Sequence, residues 1–375
     1  MNQFFKNKEI NTGRQEEFDC LKALFLCAIF FIHAFQLCGV GNGKESALYE
    51  IVYIVSVTSG APIYIFIMGM GTSYSRKTTK QTAGAGVRWI ILQYLNNLGY
   101  IAGILLALGI MSIAGNAAVD AGLEMAKMFL PYINIFFLAG ALYLILALMR
   151  ACKAPIWLYP VLAVATSAAS PFLVMQKTGV TALDTILSPL LGGESYTSFC
   201  VLPYIVFAFM GVFFGEIIKR VSGKKKFYLR LMPVAVLIAA AYIVYTAFQC
   251  EGLKETYNFM GQGYIYPDLF RALTNLSVIL ILAAIFYFLR NAIQERRHLS
   301  GEIKYLSKHI SKYYAVHPCI YLFLLGLVGF EGQSAAVCCL FCVITVAATA
   351  MIVRIYNRFA KAKELEQRSG EEKPA

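Results

Sequence analysis

Ten apolar runs of about 20 residues constrain the fold of this chain more than any other feature of its sequence. A helix of roughly 20 residues crosses a hydrocarbon core about 30 Å thick, so each run predicts one membrane crossing. The runs cover approximately residues 18–38, 48–74, 88–114, 130–150, 155–175, 199–219, 231–249, 269–290, 313–330 and 335–354. The predicted fold class is therefore an all-α, polytopic integral membrane protein with about ten transmembrane helices.

The composition agrees with this fold and excludes a soluble domain. Hydrophobic residues make up 59% of the 375 residues and charged residues only 14%, against about 25% charged residues in a soluble domain. The net charge of +12 does not predict nucleic-acid binding, because the basic residues separate apolar runs instead of clustering on one polar face. Several of the 10 cysteines lie inside apolar runs, which predicts packing rather than disulfide bonds.

Basic residues are divided unequally between the two sets of linkers. The N-terminal segment and the even-numbered linkers carry most of them, whereas the opposite linkers hold only Lys44, Lys127, Lys177, Lys254 and Arg271. Because basic linkers stay in the cytoplasm, both termini are predicted to be cytoplasmic. We expect a cytoplasmic N-terminal segment at residues 1–17 without a cleavable signal peptide, a transmembrane domain at 18–354, and a cytoplasmic, disordered tail at 355–375.

Two outward linkers, at residues 176–198 and 250–268, exceed the length of about 12–15 residues beyond which an unstructured loop is usually functional or disordered. The second linker carries Tyr257, Tyr264 and Tyr266. These tyrosines fit an interfacial aromatic belt and, equally well, a platform for an acceptor substrate.

Four ionisable residues within the predicted crossings are the candidate functional residues, because such side chains are costly in a bilayer. They are Asp19, Lys22 and His33 in the first run and His317 in the ninth. Lys22 and His33 are eleven residues apart, which is about 1100° of helical rotation, some 20° past three full turns, and a rise of about 16 Å. The two side chains therefore share one face and predict a polar track through most of the bilayer.

Each of these residues also has a structural interpretation. Lys22 can extend to the lipid headgroups with Asp19, three residues earlier, as its counter-ion. The short imidazole of His33 cannot reach the headgroups from so deep in the span, which favours a functional role. His317 precedes Pro318, which frees the carbonyl of Tyr314, and the kink fits a pocket wall or a packed histidine equally well.

Three segments together resemble a known family. The first run, from Phe18 to His33, has a basic residue, ten intervening residues and a histidine, which is similar to the opening motif of the acyltransferase family 3 membrane enzymes. The stretch APIYIFIMGMG at 61–71 resembles the related heparan-α-glucosaminide N-acetyltransferase branch, and SKYYAVH at 311–317 resembles the late serine, tyrosine and histidine signature. Arg76 and Arg88 are the candidates for the paired arginines of that family, and Ala23 stands where the family commonly has glycine.

This resemblance implies a multi-pass cell-membrane enzyme that moves an acyl group, usually acetyl from acetyl-CoA, to a hydroxyl or amine of a carbohydrate or other envelope acceptor. A neutral imidazole suits the removal of the acceptor's proton, so His33 is expected as the base or as a transient acyl carrier, with Lys22 and Asp19 in the catalytic track. Lys22, Arg76 and Arg88 are expected to hold donor phosphates, and His317 and Tyr314 to line the donor channel. No metal is predicted.

Two other functions fit the same pattern. A secondary transporter for a small envelope precursor fits ten helices and a polar track near the midplane, although the chain shows no inverted repeat. A membrane assembly scaffold would need none of the ionisable residues. Loss of function on replacement of His33 separates the enzyme from the scaffold, and flux without any CoA identifies the transporter.

Overall fold

The structure, a computed structural model, is all-helical, as predicted. It describes residues 5–6, 8–39, 47–113, 119–193, 196–250, 266–329 and 332–371, and for residues 47–59 and 363–371 it describes the backbone alone. Over these ranges it contains twelve helices and no β-strand. The helices are α1 (Glu16–Cys38), α2 (Ala47–Tyr74), α3 (Thr79–Ile113), α4 (Val119–Phe129), α5 (Ile135–Ala151), α6 (Leu158–Leu173), α7 (Thr181–Leu191), α8 (Val201–Arg220), α9 (Lys224–Gln249), α10 (Leu269–Glu295), α11 (Arg297–Val328) and α12 (Ala335–Glu371).

Seven segments within the described residues are long and apolar enough to cross a membrane. They are α1, α3, α8, α9, α10, α11 and residues Ala335–Ala362 of α12. Three further apolar helices, α5, α6 and α7, have only 10 to 17 residues. A multi-pass membrane protein follows from these helices, while the count of ten crossings and the cytoplasmic position of both termini stay predictions.

Some helices extend beyond the ends of the predicted apolar runs. An apolar run covers only the part of a helix that contacts lipid or the protein core. The ninth run begins at residue 313, whereas α11 begins at Arg297 and includes a charged first half. The last helix continues to Glu371, so the prediction of a disordered tail from residue 355 is wrong up to that residue. Alanine, lysine, glutamate and leucine dominate residues 360–366, and all four have high helix propensity.

The structure describes the first of the two long linkers that the sequence predicts to face outward, and only the end of the second. The linker at 176–198 contains α7 (Thr181–Leu191), a short helix whose first turn carries Asp184. Asp184 accepts hydrogen bonds from the backbone N–H and the hydroxyl of Thr178, both at 2.7 Å, and these bonds lower the pKa of Asp184. In the second linker, Tyr257 and Tyr264 lie outside the described residues.

The chain forms two compact units. The first unit comprises Met1–Phe25, Tyr53–Leu98 and Met128–Lys304, and the second comprises Leu26–Val52, Gly99–Lys127 and Tyr305–Ala375. In the first unit α8 is the central helix, since 72% of its apolar window is buried, whereas only 17% of that of α9 is buried. An α8 that contacts protein on most sides needs small residues wherever another helix crosses it closely.

Glycines permit such a close crossing of α2 and α8 in the first unit. A methyl group at Gly69 of α2 would overlap with the carbonyl oxygen of Ala208, and one at Gly211 of α8 would overlap with the carbonyl oxygen of Phe66. Backbone atoms cannot rotate away as a flexible side chain can. The two helices must therefore separate if either glycine gains a side chain.

We expect Gly69→Ala to destabilise the protein by about 1–3 kcal/mol, because an overpacked contact against backbone forces the helices apart. Gly71→Ala is the matched control, since it lies two residues along the same helix and has open space around it. That control is expected to be neutral or to stabilise by up to about 1 kcal/mol, the difference in helix propensity. Thermal unfolding in detergent measures both variants, and equal melting temperatures would contradict the close crossing.

A buried ion pair fixes the start of α1 against α9 in the first unit. The ammonium of Lys224 donates to Glu17 Oε1 at 2.5 Å and to Gln15 Oε1 at 2.6 Å, and the Tyr228 hydroxyl donates to the same Glu17 oxygen at 2.9 Å. The Glu17 side chain is 2% exposed. Lys224 therefore has a structural role besides the topological one that the sequence predicts for it.

In the second unit, an apolar cluster packs α11 against α1 and α12. Its buried members are Leu26 and Phe30 of α1, Tyr313 of α11 and Val353 of α12. On another side of α11, a methyl group at Gly103 of α3 would lie 2.8 Å from the carbonyl oxygen of Cys319. Contacts on several sides thus fix the position of the α11 segment that carries His317.

Candidate active site

The second unit brings together the two histidines that the sequence singled out, His33 of α1 and His317 of α11. Nδ1 of His33 lies 2.8 Å from Nε2 of His317. The rings are nearly parallel, with an interplanar angle of 19° and centroids 4.9 Å apart. His317, expected nearer the inner side than His33, therefore lies beside it.

The two rings differ in exposure and in bonding. His317 is fully buried at 0% exposure, and its Nδ1 lies 2.9 Å from the backbone carbonyl oxygen of Tyr313. His33 is partly exposed. Its Nε2 has no hydrogen-bond partner within the described parts of the chain, so this nitrogen is the one available to another molecule.

Aromatic residues surround the pair and fix its orientation. The Phe30 ring lies 4.8 Å from the His317 ring, and the Tyr314 ring lies 6.1 Å from His33 and 5.5 Å from His317. The Tyr321 hydroxyl donates to the carbonyl of Phe30 at 2.6 Å. Because Phe30 is one turn before His33, this bond joins α1 to α11 beside the histidine pair.

Tyr321 and Tyr313 are site residues that the sequence analysis missed. Tyr321 follows His317 by four residues, so the two share one face of α11, and its hydroxyl needs a partner when buried. The spacing of four residues could therefore have identified Tyr321 as a neighbour of His317. The role of the Tyr313 carbonyl could not be predicted from the sequence, because every residue has a backbone carbonyl.

Asp19 and Lys22 do not form the predicted ion pair, and the two groups interact only electrostatically, without a hydrogen bond. Asp19 forms its ion pair with Arg14, which precedes α1 and whose side chain extends along the first turn of that helix. The hydrogen bond to Asp19 raises the pKa of Arg14. A guanidinium presents a fork of donors to a carboxylate, which favours Arg14 over a lysine ammonium. Lys22 is partly exposed and has no hydrogen bond or ion pair with any described residue.

Arg76 and Arg88, the candidate phosphate ligands, belong to the first unit and are both exposed. Neither has a hydrogen bond or an ion pair within the described ranges. The segment between α2 and α3 is held instead by Arg150 of α5, which donates to the carbonyls of Thr72 and Lys77 and to the hydroxyl of Thr82. Arg76 and Arg88 thus have free guanidinium groups, and their role as phosphate ligands stays a prediction.

The chemistry available at the histidine pair is proton transfer and nucleophilic attack by an imidazole. Among the described residues no group of three or more histidines, cysteines or acidic residues has metal-ligand geometry. No described carboxylate bonds to either ring. An imidazole with one engaged nitrogen and one available nitrogen is the arrangement that base and nucleophilic catalysts share.

Comparison with known proteins identifies the family. No curated protein and no solved structure gives a significant match. A family model described as an acyltransferase domain, that of acyltransferase family 3, matches residues 15–354, a range that includes both histidines and nearly all of the apolar helices. The chain therefore belongs to the family 3 acyltransferases, which makes it a membrane acyltransferase.

Proposed function

We propose that this enzyme moves an acyl group, most simply acetyl, from acyl-CoA at the cytoplasmic side of the cell membrane to a hydroxyl or amine of an envelope carbohydrate or related acceptor. One observation carries the proposal: His33 has one ring nitrogen engaged by a buried histidine, while its other nitrogen has no protein partner among the described residues. Membership of the acyltransferase family supports acyl transfer as the reaction type.

His33 acts as the base in the simplest reaction. Its Nε2 takes the proton of the acceptor hydroxyl or amine as the acceptor attacks the thioester carbonyl. The carbon–sulfur bond then breaks, and the leaving thiolate takes up the proton from the imidazole. The products are the acylated acceptor and free CoA thiol, and His33 returns to its neutral form.

His33 can also act as a transient acyl carrier. In that route its Nε2 attacks the thioester carbonyl itself and the carbon–sulfur bond breaks, which gives an acyl-imidazolium and a CoA thiolate that takes a proton from water. The acceptor then attacks the acyl-imidazolium, its proton neutralises the hydroxide left in solvent, and His33 returns to its neutral form. Both routes use the same nitrogen, so both depend on Nε2 of His33 being unprotonated and accessible.

The donor's phosphates are assigned to cations without carboxylate partners. Lys22, Arg76 and Arg88 fit this role because none of them has an ion pair with a described residue, and arginine binds phosphate through two parallel hydrogen bonds. Asp19, which holds Arg14, contributes by ordering the first turn of α1. Tyr314, whose ring faces both histidines, lines the path of the acyl group.

The test is a donor assay with the purified full-length protein in lipid nanodiscs. Acetyl-CoA, propionyl-CoA and palmitoyl-CoA are supplied with and without an envelope carbohydrate extract, and the release of CoA thiol and the acylation of carbohydrate are measured. We expect thiol release from the short-chain donors that depends on His33 and rises when the acceptor is present. Oriented vesicles, in which the donor is given to one face only, test its cytoplasmic entry.

The outcomes separate the competing functions. Thiol release that persists unchanged in His33→Ala would exclude His33 from the chemistry. The absence of any thiol release, together with uptake of carbohydrate precursor by vesicles that contain no CoA, would identify a transporter instead.

A further inference from the structure

Two hydrogen bonds on one buried ring determine where its proton lies. Nδ1 of His317 lies 2.9 Å from the Tyr313 carbonyl oxygen, and a carbonyl oxygen can only accept a hydrogen bond. Nδ1 of His317 must therefore carry a hydrogen and donate it. A neutral imidazole has only one N–H, so Nε2 of His317 is left as an acceptor.

The same reasoning extends to His33. Its Nδ1 lies 2.8 Å from Nε2 of His317, and two unprotonated nitrogens would repel each other at that distance. Because Nε2 of His317 accepts, Nδ1 of His33 must donate. The single hydrogen of a neutral His33 is then on Nδ1, and its Nε2 carries the free electron pair.

We propose that His317 is a positioning residue which, held by the Tyr313 carbonyl, keeps His33 in the tautomer whose Nε2 is the reactive atom. The tautomer follows from the geometry alone, while its use in acyl transfer rests on the proposed function. His317 thereby performs the orienting task that a carboxylate performs for the histidine of other acyl-transfer enzymes. This role replaces the donor-lining role that the sequence suggested for His317.

A charged pair is the alternative arrangement, and the surroundings oppose it. If His317 were an imidazolium, both of its nitrogens would donate and Nδ1 of His33 would accept. That arrangement places a full charge on a ring with 0% exposure, and no described carboxylate contacts it. An unpaired buried charge is strongly unfavourable, so the neutral chain of hydrogen bonds is the stable state.

Packing keeps both rings in the plane that this chain of hydrogen bonds requires. The Phe30 ring packs on His317 at 4.8 Å, and the Tyr321 hydroxyl bonds the Phe30 carbonyl at 2.6 Å. These contacts fix the helix backbone on either side of the pair. A histidine free to rotate would lose the preference for one tautomer, because either nitrogen could then find a partner.

The first arm of the experiment reads the tautomer without any assay of activity. The protein is prepared with ¹⁵N in its histidine rings and with H298Q and H309Q, so that only His33 and His317 give ring signals, and solid-state NMR is recorded in lipid. We expect both remaining rings to be neutral and protonated at Nδ1. A signal from His33 protonated at Nε2, or from an imidazolium at His317, would overturn the proposal.

The second arm compares two replacements of His317. In His317→Gln the amide oxygen reaches the former position of Nε2 and still accepts from His33, whereas His317→Phe fills the space without an acceptor. We expect His317→Phe to lower kcat by about 100-fold, with the donor KM nearly unchanged and the His33 signal shifted toward protonation at Nε2. His317→Gln is expected to retain the wild-type His33 tautomer and to stay within about tenfold of wild-type kcat.

The two arms test the positioning role of His317 separately from the proposed acyl transfer. Equal losses in His317→Phe and His317→Gln, with the His33 tautomer unchanged in both, would overturn the positioning role. If the tautomers are as expected and respond to His317→Phe, but no acyl transfer exists to be lost, the positioning role stands and the proposed function fails. If His317→Phe does not fold, the wild-type spectrum and His317→Gln still decide the result.

Discussion

Replacing His33 with alanine is expected to lower acyl transfer by about 10²–10⁴-fold while leaving expression and membrane insertion unchanged. The expectation follows from the usual contribution of a positioned base and from the two routes above, both of which use Nε2 of this ring. Release of CoA thiol and acylation of the acceptor, measured on protein of wild-type thermal stability, give the result. Free imidazole added to His33→Ala is expected to restore part of the lost rate.

The matched control is His309→Gln. His309 is on the same helix as His317, and its ring packs on Tyr305 at 4.6 Å, yet it has no place in the proposed chemistry. We expect His309→Gln to keep activity within about twofold of wild type. Normal turnover in His33→Ala would exclude both the base and the carrier routes, and an equal loss in the two variants would show that the loss is not specific to the reaction.

Lys224→Met is expected to destabilise the protein by about 3–5 kcal/mol, the usual result of removing one partner of a buried ion pair. The Glu17 carboxylate is 2% exposed and the Lys224 side chain 16% exposed, so solvent screens this pair only weakly. Without Lys224, the carboxylate retains the Tyr228 hydroxyl at 2.9 Å but loses the charge that compensates it. Thermal unfolding in detergent should show a fall of about 4–6 °C in melting temperature.

Lys225→Met serves as the control for Lys224→Met, because Lys225 is the next residue and is exposed. Its replacement is expected to change stability by less than about 0.5 kcal/mol. The double variant with Glu17→Gln and Lys224→Met, which removes both charges, should recover much of the loss. If Lys224→Met and Lys225→Met behave alike, the pair contributes nothing to stability and both lysines serve topology alone.

The lengths of the apolar runs predicted the fold class, because both the lipid and the protein core require apolar side chains. The run at 199–219 agrees closely with α8 (Val201–Arg220). The charged first half of α11 and the extension of α12 to Glu371 could not be found in the same way, since those segments are helical without being apolar. Helix propensity and packing determine such segments, and an apolar window measures neither.

The candidate site was predictable one residue at a time but not as a pair. A short imidazole deep in an apolar helix identified His33, and a histidine beside a proline identified His317. Their contact joins residues 284 positions apart, and neither helix alone contains the information that places them together. The pairing of Asp19 with Arg14 instead of Lys22 was also not predictable from one helix. Arg14 precedes α1, so it lies outside the helical spacing from which the pairing with Lys22 was inferred.

The bond from His317 to the Tyr313 carbonyl has a consequence for how the enzyme is built into a bilayer. A carboxylate in the same place would add an ionised group at a depth where each one opposes insertion by about 2.5–3.5 kcal/mol. A main-chain oxygen is supplied by the helix itself and adds no charge. The resting centre can therefore partition into the membrane as a neutral assembly, and charge is separated there only while a substrate proton is in transit.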